Sequence, residues 1–429
     1  MGKGLIIAAP SSGAGKTTVT LALLRLLSRQ GVAVRGAKSG PDYIDPRFHE
    51  AACGASCFNL DAWAMGPARL KTLAAGDGHL IVEGAMGLFD GAPPDGRGSV
   101  ADLARALDLP VVLVVDAGRM AGSAAALVEG FARHDPQVRV AGVILNNLGS
   151  ERHGTMVRRA LDPVGIPVLA ALQRARDLTH PERHLGLVQA GERADLDAFM
   201  DRAADMLEAS LDQPTLMALF APLPAAPRAP SVPPPAQVIA VAQDEAFAFA
   251  YPHLLQDWRD AGADIRMFSP LANEAVPEAG FVFLPGGYPE LHAGRLAAAD
   301  HFLNSLRNAA QNIDIYGECG GYMVLGDGLV DADGTRHAMA GLLRLETSFA
   351  ARRLHLGYRD LTPLGGVFDD PLKAHEFHYA ATLKADGPAL FDARDAEGNA
   401  LPSMGLREGR VCGSFAHIID GVAGAGEEA

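Results

Sequence analysis

The sequence predicts an α/β protein with two domains, the first of them built on a mostly parallel β-sheet. Short apolar runs alternate with helical patterns along the chain, an order typical of parallel strands connected by helices. The chain has 429 residues, more than one ordinary hydrophobic core supports. Residues 213–237 are rich in proline, which favours an extended linker over a regular helix. We therefore expect domains at 1–212 and 238–429, joined by a linker at 213–237.

The first predicted strand leads into a glycine-rich loop and then directly into an amphipathic helix. This order is typical of a phosphate loop, in which backbone N–H groups surround the phosphates of a nucleotide. Lys16 would reach the outer phosphates, and the Thr17 hydroxyl would ligate Mg²⁺. Pro10 stands where the usual pattern has its first glycine, so the loop is a variant. The residues expected to contact the nucleotide are Ser12, Gly13, Ala14, Gly15, Lys16, Thr17 and Thr18.

A second strand pattern, Val32 to Lys38, leads into a loop dense in carboxylates and turn formers. Asp42 and Asp45 would lie near the carboxyl end of this strand, beside the phosphate loop, where ligands bind in open α/β sheets. We expect them to handle metal or substrate. The alternative is that either aspartate only caps a helix.

A third strand, Leu80 to Val82, ends in Glu83 and a glycine-rich turn that contains Asp90. A carboxylate at the tip of a parallel strand, next to a phosphate loop, is well placed to hold Mg²⁺ or a metal-bound water. Asp90 is a second candidate at the same edge. A further strand ends in Asn146-Asn147, and the amide of either residue could recognise an adenine edge, although asparagine is also a common turn residue.

The composition excludes several classes of function. A formal net charge of −14 argues against a nucleic-acid-binding surface, so an anionic substrate must be met by local positive groups. Basic loops at 151–153 and 181–185 could serve this purpose, although solvated loop charges are the more common case. The sequence shows neither a membrane span nor a secretory leader, and its four cysteines are too scattered for a disulfide framework. We expect a cytoplasmic protein with reduced thiols.

The second domain repeats the α/β pattern and places a cysteine in a sharp turn. The apolar run before Pro285 opens into Gly286-Gly287, whose N–H groups are free to face a ligand. The next strand runs into Cys319, which glycines flank, and then into a helical run. This is a nucleophile elbow with cysteine in place of serine, in which we expect the helix dipole to favour the thiolate. The chemistry indicated is acyl transfer, with N–H groups of the elbow and of Gly286-Gly287 holding the oxyanion.

A cysteine nucleophile needs a base, and His417 at the end of a late strand is the best candidate. His375 and His378 are its rivals. Their HxxH spacing could also ligate a metal, but no third ligand is evident in the sequence. The alternative for Cys319 is a buried, inert thiol.

These residues belong to segments that resemble one family over most of the chain. The segments are SSGAGKTTVT, SGPDYIDPRFH, VEGAMGLFDG, GVILNNLGSERH, PERHLGL, LPGGYPEL, GECGGYM, HEFHY and GSFAHIID. Together they resemble the cobyrinic/hydrogenobyrinic acid a,c-diamide synthases, the corrinoid amidotransferases of cobalamin biosynthesis. That family joins an N-terminal ATP-dependent synthetase domain, similar to dethiobiotin synthetase, to a C-terminal class I glutamine amidotransferase-like domain.

The resemblance implies a relay between two reactions. In the C-terminal domain, Cys319 would attack glutamine and release ammonia, with His417 as general base and acid and with Gly286 and Gly287 at the substrate. In the N-terminal domain, Mg-ATP would phosphorylate the corrinoid a and c carboxylates, and ammonia would displace the phosphate. Implied roles are metal binding by Thr17, Asp45 and Glu83, nucleotide contact by Asn146, and substrate contact by Asp42, Tyr43 and Asp90.

One position departs from the wider amidotransferase pattern. Many class I domains have Glu two residues after the catalytic histidine, where this chain has Ile419, so a Cys-His dyad is expected and the group that orients His417 is left open. We also expect a sheltered route for ammonia. The expected partners are a corrinoid, glutamine and ATP, without nucleic acid or membrane, and a homodimer is one alternative for the assembly. Alternative functions are amidation of another carboxylated tetrapyrrole, such as nickel sirohydrochlorin, and a non-enzymatic nucleotide switch of the partitioning type.

Overall fold

The computed structural model of the chain describes residues 2–175, 195–225, 229 and 231–422. The chain divides into two compact units, Met1–Ala229 and Pro230–Ala429. Each unit has its own β-sheet framework, as the α/β prediction requires. No helix in the described part of the chain is both long and apolar enough to cross a membrane.

The first unit is organised around one eight-stranded sheet in which β8 alone runs antiparallel. The strand order is β3-β2-β4-β1-β5-β6-β7, and β8 pairs with β1. Its strands are β1 (Lys3–Ala8), β2 (Val34–Ser39), β3 (Phe58–Leu60), β4 (His79–Glu83), β5 (Val111–Asp116), β6 (Val140–Leu148), β7 (Val168–Gln173) and β8 (Ala221–Pro222). Its helices are α1 (Lys16–Arg29), α2 (Asp45–Cys53), α3 (Pro67–Ala74), α4 (Val100–Leu107), α5 (Ser123–His134), α6 (Glu151–Leu161), α7 (Leu196–Glu208) and α8 (Gln213–Leu219).

The central strands β1, β4 and β5 are nearly continuous apolar runs because helices cover both faces of a parallel sheet. The register pairs Ile7 of β1 with Glu83 of β4, and Lys38 of β2 with the same Glu83. Strands β1, β2 and β4 run in the same direction. Their carboxyl ends therefore place the phosphate loop, the acidic loop and Glu83 at one edge of the sheet.

The structure corrects the prediction for the start of the proline-rich segment. Residues 213–219 form helix α8, and residues 221–222 pair with β1, so this part is not an extended linker. Asp212 caps the helix by accepting a hydrogen bond from the Thr215 N–H at 3.2 Å. Pro214 lies in the first turn, where a missing N–H costs nothing. We place the boundary between the two domains after residue 222 and before residue 238.

The second unit combines a mostly parallel sheet with two smaller sheets. The parallel sheet has the order β10-β9-β11-β12-β22-β21, with β21 antiparallel at its edge. A five-stranded antiparallel sheet has the order β20-β19-β16-β17-β23, and a four-stranded sheet has the order β14-β13-β15-β18. The strands are β9 (Val238–Ala242), β10 (Asp264–Phe268), β11 (Phe281–Leu284), β12 (Asp314–Glu318), β13 (Gly328–Val330), β14 (Arg336–Ala338), β15 (Leu345–Ser348), β16 (His355–Pro363), β17 (Leu372–His378), β18 (Ala381–Ala385), β19 (Phe391–Arg394), β20 (Ala400–Met404), β21 (Leu406–Glu408), β22 (Val411–Ser414) and β23 (Ala416–Gly421).

Helices cover the parallel sheet of the second unit: α9 (Pro252–Asp260), α10 (Ala293–Ala297), α11 (Asp300–Ala309) and α12 (Gly320–Leu325). The apolar side chains of α11 and α12 join those of β11 and β12 in one buried core. This packing fixes the carboxyl ends of β11 and β12, where the glycine loop and the cysteine elbow begin.

Candidate active sites

The phosphate loop of the first unit depends on glycines at two positions. Gly13 and Gly15 have φ angles of 81° and 92°, in the left-handed region that other residues rarely adopt. A Cβ atom added to Gly15 would lie 2.2 Å from Nδ2 of Asn146, so space as well as conformation excludes a larger residue. Ser12 and Gly13 are exposed at the rim of the loop, and Thr18 is half-buried in the first turn of α1.

Asn146 supports the loop from the end of β6. Its Nδ2 donates a hydrogen bond to the carbonyl oxygen of Ala14 at 2.9 Å. The amide that we expected to recognise adenine is therefore engaged with the loop backbone, and its role in this structure is to stabilise the loop. Strand β6 delivers this contact because it ends at the same edge of the sheet as β1.

Lys16 is buried and lies within the loop that its own helix begins. Its ammonium group donates hydrogen bonds to the carbonyl oxygens of Met86 and Ser11, the latter at 3.3 Å. Burial lowers the pKa of Lys16, with a partly compensating contribution from Glu83. Carbonyl oxygens are neutral acceptors, so the phosphate oxygens of a nucleotide would be better partners for this ammonium.

Glu83 is the centre of a buried network at the tip of β4. Its Oε1 accepts hydrogen bonds from the Thr17 hydroxyl at 2.6 Å and from the Lys38 ammonium at 2.9 Å. Its Oε2 lies 2.7 Å from Nε2 of His49. Burial opposes ionisation, but these partners together hold the pKa of Glu83 well below its ordinary value. Glu83 is therefore a carboxylate at neutral pH.

The acidic loop brings a second carboxylate to the same network. The Lys38 ammonium forms an ion pair with Asp45, and Asp42 Oδ2 lies 3.9 Å from it. Burial, reinforced by the charge of Asp42, raises the pKa of Asp45 against the attraction of Lys38. Asp42 also accepts hydrogen bonds from the N–H groups of Ile44 and Asp45, so it stabilises the turn that leads into α2, although the N-cap position itself is Ile44.

The oxygen atoms of this network fit a Mg²⁺ ion chemically. A hydroxyl from Thr17 and carboxylates from Glu83 and Asp45 are the hard ligands that Mg²⁺ prefers, on residues that adjoin a phosphate loop. Asp90 and Tyr43 lie on flanking loops. The exposed Asp90 accepts a hydrogen bond from the Gly87 N–H at 3.0 Å, and Tyr43 is buried.

Sequence reasoning missed two members of the network, Lys38 and His49. Lys38 interrupts the apolar pattern one residue before the end of β2, which is a signal that could have identified it. His49 lies one helical turn after Asp45 on α2, on the side facing the sheet. Of the two basic segments predicted as loops, 181–185 lies outside the described residues. Residues 151–153 are instead the first turn of α6, because Ser150 caps that helix, and His153 contacts the carbonyl oxygen of Met120 at 2.6 Å.

The second unit contains the predicted nucleophile elbow. Cys319 follows β12 directly and has a φ angle of 44°, a strained conformation for a residue with a side chain. A Cβ atom at Gly321 would lie 1.9 Å from the carbonyl oxygen of Leu284, and one at Gly317 would lie 2.7 Å from Leu325. The glycines around the cysteine are therefore required by close packing of the turn.

The glycine loop after β11 lies against both the elbow and the histidine. A Cβ atom at Gly286 would lie 2.3 Å from Cε1 of His417, and one at Gly320 would lie 2.9 Å from the nitrogen of Gly287. The structure thus brings the predicted oxyanion loop, the elbow and His417 together. The N–H group of Gly287 belongs to the glycine loop and that of Gly320 belongs to the elbow.

A carboxyl group accompanies the histidine. Glu318, the residue before the nucleophile, places Oε2 at 3.6 Å from Nδ1 of His417. Its other oxygen accepts a hydrogen bond from the Ile418 N–H at 3.1 Å. An acid therefore lies beside the histidine in space, although position 419, two residues after it, is isoleucine. Sequence reasoning missed it, although an acid at the end of a buried strand, next to a cysteine, is itself an unusual signal.

Both reactive groups are neutral in this structure. Burial raises the pKa of the Cys319 thiol well above its ordinary range, and the charge of Glu290 adds to this effect. Burial, reinforced by His375, lowers the pKa of His417 to about 3. Burial also raises the pKa of Glu318 to about 8. The prediction that the helix dipole favours a thiolate is wrong here, because α12 has only six residues and burial outweighs it.

The rival histidines take different positions. His375 pairs with His417 across β17 and β23. His378 faces the opposite side of β17, because the two histidines of the HxxH pair are three positions apart on a strand. The HxxH pair therefore does not form a chelating site. His378 instead lies 3.0 Å from Glu376 and close to His355, within a cluster of potential ligands. Arg359 pairs with the same Glu376 at 2.7 Å, which satisfies that carboxylate without a metal.

Comparison with known proteins assigns a domain family to each of the two units. Residues 5–188 match the model of the CobQ/CobB/MinD/ParA nucleotide binding domain, and residues 238–421 match that of the CobB/CobQ-like glutamine amidotransferase domain. The hydrogenobyrinate a,c-diamide synthase of Brucella anthropi is 55% identical, with 97% of this chain and 98% of the relative covered. The enzyme of the same name from a Sinorhizobium species is 56% identical, with coverage of 98% and 99%. The predicted resemblance and the α/β fold are confirmed, and the chain belongs to the hydrogenobyrinate a,c-diamide synthase family.

Proposed function

We propose that this chain uses ATP and glutamine to amidate the a and c side-chain carboxylates of hydrogenobyrinic acid or cobyrinic acid in cobalamin biosynthesis. One observation carries the proposal. A single chain joins a phosphate loop, with Thr17 hydrogen-bonded to the buried Glu83, to a cysteine elbow beside His417. The relatives that match this chain over nearly their full length are named hydrogenobyrinate a,c-diamide synthases, which supports the proposal. ATP and glutamine are abundant in the cytoplasm, where we propose that the chain acts.

The second unit releases ammonia from glutamine. Cys319 sulfur attacks the carboxamide carbon while His417 accepts the thiol proton, which avoids a free thiolate in a buried site. The N–H groups of Gly287 and Gly320 donate to the oxyanion. His417 then protonates the leaving nitrogen, and a glutamyl thioester remains. Water hydrolyses this thioester to glutamate and regenerates the thiol.

Glu318 is a positioning residue in this cycle. Its carboxyl lies beside Nδ1 of His417, the ring nitrogen that would carry a proton while the other nitrogen exchanges protons with substrate. When the imidazolium forms, the adjacent carboxylate stabilises it. Burial raises the pKa of Glu318 to about 8 while His417 is neutral, so the carboxyl must release its proton to solvent before it balances the charge of the imidazolium.

The first unit activates the acceptor carboxylate. A carboxylate oxygen attacks the γ-phosphorus of ATP, ADP leaves, and ammonia then displaces phosphate from the acyl phosphate to give the amide. Lys16 would exchange its carbonyl partners for phosphate oxygens. Thr17, Glu83 and Asp45 would hold Mg²⁺, which when bound offsets phosphate charge. Asp42, Tyr43 and Asp90 lie on the loops proposed to meet the phosphates or the reacting carboxylate.

The division of labour has a chemical reason. A carboxylate resists attack by ammonia until a phosphate makes it a good electrophile, and ammonia that reaches water is protonated and unreactive. We therefore propose that ammonia passes to the phosphorylated carboxylate without release to solvent. The site at Lys38, Asp45 and Glu83 and the site at Cys319 and His417 perform separate chemistry in one overall reaction.

One assay tests the proposal against two other functions, namely amidation of nickel sirohydrochlorin and a non-enzymatic nucleotide switch. ATP hydrolysis is measured with glutamine and with each candidate acceptor, namely hydrogenobyrinic acid, cobyrinic acid and nickel sirohydrochlorin. The proposal expects hydrolysis that requires a corrinoid and is stimulated by glutamine. Stimulation by nickel sirohydrochlorin alone would move the assignment to that acceptor, and hydrolysis indifferent to glutamine and to every tetrapyrrole would support a nucleotide switch.

A further inference from the structure

Glu290 is a buried acid that the mechanism above does not use. It lies in a short 3-10 turn, Pro289–Leu291, that directly follows the Gly286-Gly287 loop. Its exposed fraction is 9%, and its Oε2 atom is buried with no hydrogen-bond partner in the described part of the chain. A buried carboxylate oxygen without a donor is unfavourable unless a cation or donor arrives from outside.

The turn that carries Glu290 packs against the nucleophile elbow. A Cβ atom at Gly320 would lie 2.9 Å from Cδ of Pro289, the residue before Glu290. After burial, the charge of Glu290 is the largest influence on the pKa of the Cys319 thiol, which it raises. The acid therefore lies close to the nucleophile, although its charge makes formation of a thiolate harder. Glu290 therefore does not activate the nucleophile, and its position beside the elbow requires a different explanation.

The electrostatic environment of Glu290 favours the binding of a positively charged group. Burial raises its pKa to about 7, and the opposing attraction of Arg352, an exposed residue, is too weak to cancel this. A cation brought into the site would restore the carboxylate. Glutamine carries one such group, its α-ammonium, and only two methylene groups separate its α-carbon from the carboxamide that Cys319 attacks.

We propose that Glu290 binds the α-ammonium group of glutamine at the Cys319 site. The inference rests on the proposed glutaminase chemistry and adds the group that selects free glutamine. An ion pair in this buried position anchors the amino-acid end of the substrate while the Gly286-Gly287 loop receives the carboxamide end. Glutamine within a peptide chain lacks the ammonium and is rejected, as is a simple amide.

The test compares glutamine with glutaramate, which differs from glutamine only by the absence of the α-amino group. Hydrolysis of each is measured with the full chain and with Glu290→Gln. We expect the full chain to prefer glutamine, and Glu290→Gln to lose roughly 10- to 100-fold in kcat/KM for glutamine, mainly through KM. The same variant should hydrolyse glutaramate as well as or better than the unaltered chain, because it no longer buries a charge without a partner.

Glu278→Gln provides the matched control, because it makes the same chemical change at an exposed position of the same unit. Alkylation of Cys319 by iodoacetamide, which has no ammonium group, checks that the elbow is intact in each variant. If glutamine turnover proves too slow without an acceptor, the rate of Cys319 alkylation by 6-diazo-5-oxo-L-norleucine is compared with that by its des-amino analogue. The same loss of preference is then expected in Glu290→Gln.

The proposal is overturned if Glu290→Gln keeps the preference for glutamine over glutaramate, or if it loses both substrates equally. These measurements use no tetrapyrrole. Failure of the chain to amidate a corrinoid would therefore count against the proposed overall function. It would not change the interpretation of the glutamine and glutaramate measurements on Glu290→Gln.

Discussion

Oε2 of Glu318 lies 3.6 Å from Nδ1 of His417, so the residue that precedes the nucleophile also faces its base. The backbone of β23 reinforces the arrangement, because the N–H of Ile418 donates to the second oxygen of Glu318. The acid therefore cannot leave the histidine without breaking a buried hydrogen bond. We propose that this contact orients His417 in a chain that has isoleucine at position 419.

Replacing Glu318 tests that role. Glu318→Gln keeps the size of the side chain but cannot carry the charge that balances an imidazolium, so we expect kcat for glutamine hydrolysis to fall roughly 10²- to 10⁴-fold. KM should change little. Glu318→Asp should recover part of the loss. Amidation driven by added ammonium salt should continue, and a Glu318→Gln variant with an unchanged kcat would show that the acid is only structural.

Without substrate, the Cys319 thiol is expected to react slowly with alkylating agents, at a rate that depends steeply on pH. Burial raises the pKa of Cys319, so the thiolate fraction is small at neutral pH and increases as the pH approaches that raised pKa. Without glutamine, the rate of iodoacetamide labelling should rise about tenfold per pH unit from about pH 6 to about pH 9. A plateau near neutral pH would indicate a preformed thiolate and contradict this account.

The separation of the two chemistries predicts a selective loss. Cys319→Ala removes the nucleophile, so amidation with glutamine should be abolished, whereas amidation with a high concentration of ammonium salt should proceed at the rate of the unaltered chain. Product formation from each nitrogen source is measured at saturating ATP. If both sources fail in a variant that remains folded, the two sites do not divide the work as proposed.

Lys38 should contribute to stability through the charges it balances. Lys38→Met leaves Glu83 and Asp45 without their buried cation, and we expect the free energy of unfolding to fall by about 3–5 kcal/mol. Lys3→Met, at an exposed position of β1, should have little effect. Added Mg²⁺ should stabilise Lys38→Met more than the unaltered chain, because the ion supplies the missing charge. Urea unfolding with and without Mg²⁺ measures both effects, and an equal response to Mg²⁺ in the two proteins would argue against a metal site at these carboxylates.

Local sequence determined which parts of the fold and sites were predictable. The phosphate loop and the cysteine elbow were recognised because each is a strand, a glycine-rich turn and a helix within a few consecutive residues. Glu83 was recognised because a strand-end acid follows such a loop. The helix at 213–219 was not predicted because the many prolines of residues 213–237 favour an extended linker. Pro214, however, lies in the first helical turn, where proline is tolerated.

The contacts that were missed depend on long-range pairing. Glu318 and His417 lie far apart in sequence and meet only because β12 pairs with β22, which leads directly into β23. His49 reaches Glu83 only because α2 packs on β2, which is the neighbour of β4 in the sheet. Burial also cannot be read from the chain, and it is burial that reverses the expected ionisation of Cys319.

The central claim is that one chain couples phosphoryl activation at Lys16 and Glu83 to nitrogen release at Cys319. Mass spectrometry of the product formed from hydrogenobyrinic acid or cobyrinic acid, with ATP and glutamine, tests it most directly. With unlabelled glutamine, the account predicts two successive mass decreases of about one unit, since each step replaces a hydroxyl by an amino group. With amide-¹⁵N-labelled glutamine, the product should be heavier by about one unit for each amide than the product made with unlabelled glutamine. An unchanged corrinoid mass in the presence of ATP and unlabelled glutamine would contradict it.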